Sequence, residues 1–127
     1  MEETTAFNLG LRDVIIIDKR DLGRVNTPHF LYPIMRTDYL VARTKHPINL
    51  YNNLIEAGGS SRYTIGCVLG YPPKCVDWFV NAPSELLPKC GVMRGNSFTF
   101  KCPTDLKTYA EDYMLSVHGT TVLYSNS

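Results

Sequence analysis

Four cysteines, three histidines and one tryptophan are the residues of this 127-residue chain best suited to chemistry. The thiols stand at Cys67, Cys75, Cys90 and Cys102, with seven, fourteen and eleven residues between them. A structural zinc site draws on close pairs, because a two-residue spacing lets one turn of chain offer both sulfurs to one ion. No such pair exists here, and nothing in the spacing selects His29, His46 or His118 to complete a set. The expectation is no metal and no cofactor, with Cys67 and Cys75 the sulfurs to weigh if an ion is held at all. The spacing suits small buried hydrophobes better, a role free cysteine often fills.

Cys75 is the candidate nucleophile. A helix is predicted to begin just before it and Lys74 is adjacent, and both a helix N-terminus and a neighbouring cation lower a thiol pKa. A nucleophile also needs a base and a polarising group, and no Cys/His pairing is legible nearby. Tyr71 and Trp78 flank a Pro-Pro pair, and aromatic side chains beside a stiff corner are the anchors that partner surfaces use. With the polar neighbours Lys74 and Asp77 they make the candidate binding surface. For Trp78 the competing reading is the edge of the core.

The stretch Ser60 to Ala82 must position all of these. Ser60 and Ser61 suit the N-cap of a helix in which Ile65, Val68 and Leu69 form one apolar stripe. Gly70 suits its end, since glycine accepts positive φ. Pro72 and Pro73 stop that helix, and Pro73 fits the first position of a second, where its missing N–H costs nothing. There Val76, Phe79 and Val80 share a face with Cys75 at its edge, while Lys74, Asp77 and Asn81 point elsewhere.

IGCVLGYPPKCVDWF within this stretch resembles the signature of a group of archaeal, bacterial and viral proteins, roughly Ile-Gly-x-x-Leu-Gly-Tyr-Pro-x-Cys-Cys-Val-x-x-Phe. Ile65, Gly66, Leu69, Gly70, Tyr71, Pro72, Cys75, Val76 and Phe79 match it. Lys74 departs from it, standing where the first of two adjacent cysteines would be. The resemblance covers about fifteen residues and implies a module rather than a particular reaction.

Composition sets the bounds. A length of 127 residues suits one domain with a real core, and 44% hydrophobic with 20% charged residues is ordinary globular composition. Thirteen basic and twelve acidic residues leave a net charge of +1, which argues against gripping nucleic acid through overall charge. The acidic start, MEETTAFNLGLRD, lacks the apolar region of a secretory signal, and Val14 to Ile17 is far too short to span a bilayer. Reduced thiols in a cytoplasmic protein are the expectation.

Along the chain, residues 1–12 read as a flexible arm, or as an added strand on the alternation of Phe7, Leu9 and Leu11. Asp13–Asp18 reads as a buried strand, Lys19–Thr27 as a solvent loop, and Ile34–Arg36 and Tyr39–Ala42 as strand pieces. Pro28 and Pro33 make a central strand between them less favourable. Thr44 to Gly58 reads as a helix with Pro47 in its first turn and Leu50, Tyr51, Leu54 and Ile55 buried. Pro83 to Cys90 suggests a turn of helix and a loop, Gly91–Asn96 a tight connection, and Ser97–Lys101 a strand. A last helix opens at Pro103 with Leu106, Tyr109, Ala110, Tyr113 and Val117 on one face and Gly119 as its cap; Thr120–Tyr124 can add a strand.

The expected architecture is α+β: a small N-terminal antiparallel sheet packed against three or four helices in a single domain. The expected function is a small cytoplasmic protein-binding module, in the form of a virus-encoded modulator of a host protein. Two alternatives stand beside it. One is a thiol-dependent enzyme or metal-binding protein using Cys75. The other is a nucleic-acid binder built on the two-helix unit, which Asp77 and Trp78, placed between Lys74 and Asn81, disfavour.

Overall fold

The computed structural model describes residues 2–126. The fold is α+β, with two three-stranded antiparallel sheets. Two compact units divide the chain between Leu69 and Gly70.

The first unit runs α1 (Glu3–Asn8), β1 (Val14–Asp18), a 3-10 turn (Lys19–Arg24), β2 (Phe30–Met35), β3 (Asp38–Ala42), α2 (His46–Glu56) and α3 (Ser61–Val68). Its sheet has the order β1-β3-β2, with Val14 opposite Ala42 and Phe30 opposite Ala42 on the other side. Alternation along the strands sends Val14, Leu40 and Ala42 to one face, where they meet Tyr51 of α2 and Val68 of α3. The opposite face carries Ile15 and Val41 against Phe7 of α1, with Leu22 and Val25 completing that smaller core.

Residues 2–12 are therefore no flexible arm, nor an added strand, while Met1 lies outside the described residues. Ala6 and Phe7 are fully buried, because a helix sets them together over the sheet where alternating chain would not. Arg43 fastens this helix from β3's end. Its guanidinium lies 4.4 Å from the centre of the Phe7 ring and donates to the carbonyls of Phe7 and Arg12. Asn8 closes the next loop with both ends of its amide, donating to Arg24 O and accepting from Asn26 N, each at 3.0 Å.

Pro33 lies inside β2, a strand paired on one side only, which is where a sheet tolerates a residue without an N–H. The register slips between Pro33 and Met35, so the proline interrupts the ladder without ending the strand. In α2 the inward residues are Ile48, Leu50, Tyr51 and Leu54. Ile55, expected in that stripe, faces outward.

The second unit runs α4 (Pro73–Asn81), a 3-10 turn (Leu87–Lys89), β4 (Gly91–Gly95), β5 (Phe98–Cys102), a 3-10 turn (Thr104–Leu106), α5 (Lys107–His118) and β6 (Leu123–Ser125). Its sheet, of order β5-β4-β6, goes beyond the single N-terminal sheet expected from sequence. The segment Gly91–Asn96, read as a tight connection, contributes the central strand. Glycines at both of its ends disguise it, since they lack the side chains that mark strands. Those glycines have a steric reason. A Cβ at Gly91 would run into the Tyr124 ring, and one at Gly95 into the Thr121 carbonyl and Val122. The core gathers Met93, Phe98, Phe100 and Cys102 from the sheet and Val122 from just ahead of β6, with Cys75, Ala110 and Met114 from the helices. Met114 takes the inward position on α5; Val117, expected there, is exposed. Gly119 caps that helix in the left-handed conformation, as expected.

Candidate functional site

The two helices predicted within Ser60 to Ala82 are α3 and α4. Ser60 accepts the Tyr63 N–H at 3.2 Å and so caps α3, and Gly70 follows that helix at φ +88°. Pro73 is the first residue of α4. Pro72, which sits at the N-cap, has no side-chain oxygen to offer. The exposed end is completed from a distance instead: the Lys74 N–H is directed at the Tyr109 hydroxyl of α5, 3.4 Å away, while the Cys75 and Val76 N–H groups bond to Pro72 O.

Helical spacing places Lys74, Asp77, Trp78 and Asn81 at i, i+3, i+4 and i+7, which is one stripe. Lys74, Asp77 and Asn81 are exposed and Trp78 is half-buried, so the indole stands among polar neighbours at the edge of solvent. Lys74 leans back, with its ammonium 5.0 Å from the centre of the Tyr109 ring. Asn81 donates to the Asp77 carbonyl at 2.9 Å and to its carboxylate at 3.1 Å, which fixes the far end of the stripe. Tyr71 is different. Its ring packs edge-on against Phe98 at 5.9 Å and lies 5.5 Å from Phe100, so most of what it does is hold the core.

Beneath the stripe Cys75 and Val76 are buried and Phe79 and Val80 half-buried. Cys75, expected at the edge of that face, is 2% exposed. Its S–H is directed at Cys102 Sγ, 3.9 Å away. That hydrogen bond first, and burial second, push the Cys75 thiol well above its ordinary value. The shift is the reverse of the activation expected from Lys74 and the helix terminus. Cys75 holds its proton, and the attacking role is better suited to its partner. Cys102 is held below the ordinary thiol range by the same S–H, against the opposing effect of burial.

The histidines lie elsewhere. His29 bonds Thr27 O at 2.7 Å and His46 is exposed at the start of α2. His118 Nε2 donates to Gly70 O at 2.6 Å with its ring 4.8 Å from Phe98. Cys67 is half-buried on α3. Among the described residues, no three His, Cys, Asp or Glu side chains gather where one ion could be held, and no helix is long and apolar enough to cross a membrane.

Tyr109, Cys102 and His118 were absent from the expected site. Each acts over 27 to 48 residues of chain, and no local pattern marks such a partner. Comparison with protein-family models, with curated proteins and with solved structures finds no match to this chain.

Proposed function

We propose that this protein is a small protein-binding module whose contact surface is the outward stripe of α4, centred on Trp78 with Lys74 and Asp77, and flanked in sequence by the half-buried Tyr71. The observation that carries the reading is a half-buried indole on a stripe whose other members are exposed and polar. Tryptophan buries a large area with few torsions to immobilise, which is why it recurs as the energetic centre of interfaces. A lysine and an aspartate on the same stripe set the orientation of a partner more than its affinity. The similarity of residues 65–79 to a group found partly in viruses extends the proposal to a virus-encoded modulator of a host protein, acting in the cytoplasm.

The test is affinity capture from the native host, identification of the partner, and calorimetric titration of that partner with parent and Trp78→Ala. Trp78→Ala should bind at least about thirtyfold more weakly, the fold-change of a 2 kcal/mol hot spot, with an unchanged circular dichroism spectrum. Equal affinity of parent and variant would remove α4 as the contact surface.

A further inference from the structure

The second unit keeps three of the four thiols together. Cys75 belongs to the first turn of α4 and Cys102 ends β5, so their sulfurs, 3.9 Å apart, are held by two different elements of one core. With both thiols protonated the bonds form a chain, Cys75 S–H to Cys102 Sγ and Cys102 S–H to the Pro103 carbonyl at 3.4 Å, and ionisation of Cys102 gives up only the second. The pair is almost wholly enclosed, at 2% and 0% exposure. Cys90, buried just ahead of β4, accepts the Cys102 backbone N–H at its own sulfur. It is thus the obvious competitor for any bond Cys102 makes.

We propose that Cys75 and Cys102 form a two-electron redox site that a small hydroperoxide converts to an intramolecular disulfide. Cys102 sulfur attacks one peroxide oxygen. The O–O bond breaks, the departing oxygen takes a proton and leaves as water or alcohol, and Cys102 becomes a sulfenic acid. Cys75 sulfur then attacks Cys102 sulfur. The S–O bond breaks, and the hydroxide takes the Cys75 proton and leaves as water. In sum two thiols and one hydroperoxide give one disulfide, one water and one further water or alcohol. Sulfur loses two electrons and the peroxide gains them.

The direction of one hydrogen bond assigns the roles. The Cys75 S–H already points at Cys102, which favours the thiolate on Cys102 and keeps the proton on Cys75 until the second step needs it gone. The sulfurs must close by about 1.9 Å to reach bonding distance, which rotation of one or both side chains about Cα–Cβ can supply. Burial selects the oxidant. A molecule the size of hydrogen peroxide can reach such a pair through small openings of the fold, whereas exchange with glutathione disulfide needs an accessible sulfur. The product ties α4 to β5 across the twenty-six residues between the two cysteines.

The sequence provides the assay. Trypsin cuts after Lys74, Lys89, Arg94, Lys101 and Lys107, so Cys75, Cys90 and Cys102 fall in the separate peptides 75–89, 90–94 and 102–107. Reduced full-length protein is treated with hydrogen peroxide, its remaining thiols are alkylated, and the digest is mapped without reduction. The expected product is peptide 75–89 linked to 102–107. It should be unchanged in Cys90→Ser, and dithiothreitol should reverse it. The oxidised protein should also melt at a higher temperature than the reduced one. A link between 90–94 and 102–107, sulfinic acid at Cys102 without a link, or free Cys75 and Cys102 after treatment that oxidises Cys67 would each overturn the proposal. The parent map and Cys90→Ser leave both thiols of the pair in place, so the result does not depend on whether Cys102→Ser folds.

Discussion

Gly70→Ala tests the packing at the start of the second unit, and its cost can be worked from three parts. Gly70 sits at φ +88°, where an alanine is strained by roughly 1–2 kcal/mol. An added Cβ would stand 2.5 Å from His118 Cε1 and 2.8 Å from Nε2, so the imidazole must leave. Its departure breaks the 2.6 Å bond to Gly70 O, worth about 0.5–1.5 kcal/mol net. It also breaks the ring contact with Phe98, worth about 0.5–1.5 kcal/mol more. Together these predict a loss of roughly 2–5 kcal/mol. Gly119→Ala is the control in the same unit: φ is +63° and an added Cβ meets nothing within 4 Å, so only the strain of roughly 1–2 kcal/mol applies. His118→Ala completes a double-mutant cycle, because with the ring gone Gly70→Ala should fall to the cost of the control. Urea titrations followed by circular dichroism measure all five proteins, the four of the cycle and the Gly119→Ala control. If Gly70→Ala costs no more than Gly119→Ala, or if the cycle is additive, the imidazole does not occupy the space in front of Gly70 and the reasoning fails.

Asn8→Ala should cost about 1–2 kcal/mol in the first unit, since both ends of the amide bond backbone; amide exchange at Asn26 should quicken, and an unchanged rate there would mean that the loop is held by something else. Glu3→Gln should stabilise the protein at neutral pH. Burial raises the Glu3 pKa and outweighs the lowering by Arg12, so the fold favours the uncharged carboxyl. Its contribution is fully present below the ordinary carboxyl range and is lost as pH rises through the raised value. The advantage of the variant in urea midpoint should therefore shrink as pH falls toward about 4, and a difference independent of pH would refute it.

The local signals in the sequence were strong where one residue carries one physical constraint. Ser60, Gly70, Pro73 and Gly119 each took the capping or stopping role their chemistry predicts. Faces were harder. Val117 and Met114 both fit a helical stripe, and only the Phe98–Phe100 surface on which α5 lies selects Met114. The α4 stripe was legible because four polar or amphipathic residues share a spacing. The partners of its buried side were not. Cys102 meets Cys75 only because β5 packs against α4, and Tyr109 reaches Lys74 from α5, 35 residues along the chain. The start of the chain misled for a related reason: Phe7, Leu9 and Leu11 alternate, but Arg43, far along the chain, supplies the ring contact and the N–H donors to the Phe7 and Arg12 carbonyls that favour a helix.

A strand of three residues has few rungs with which to choose its alignment, and β6 offers only Val92–Ser125, Met93–Tyr124 and Arg94–Leu123. Shape supplies what the ladder lacks. The bare backbone at Gly91 receives a tyrosine ring, and that at Gly95 receives the chain around Val122, so a shift by one residue would unseat both at once. β6 and the residues leading into it are thus keyed by two notches in their neighbour, and a larger residue at Gly91 should be tolerated only alongside a smaller one at Tyr124.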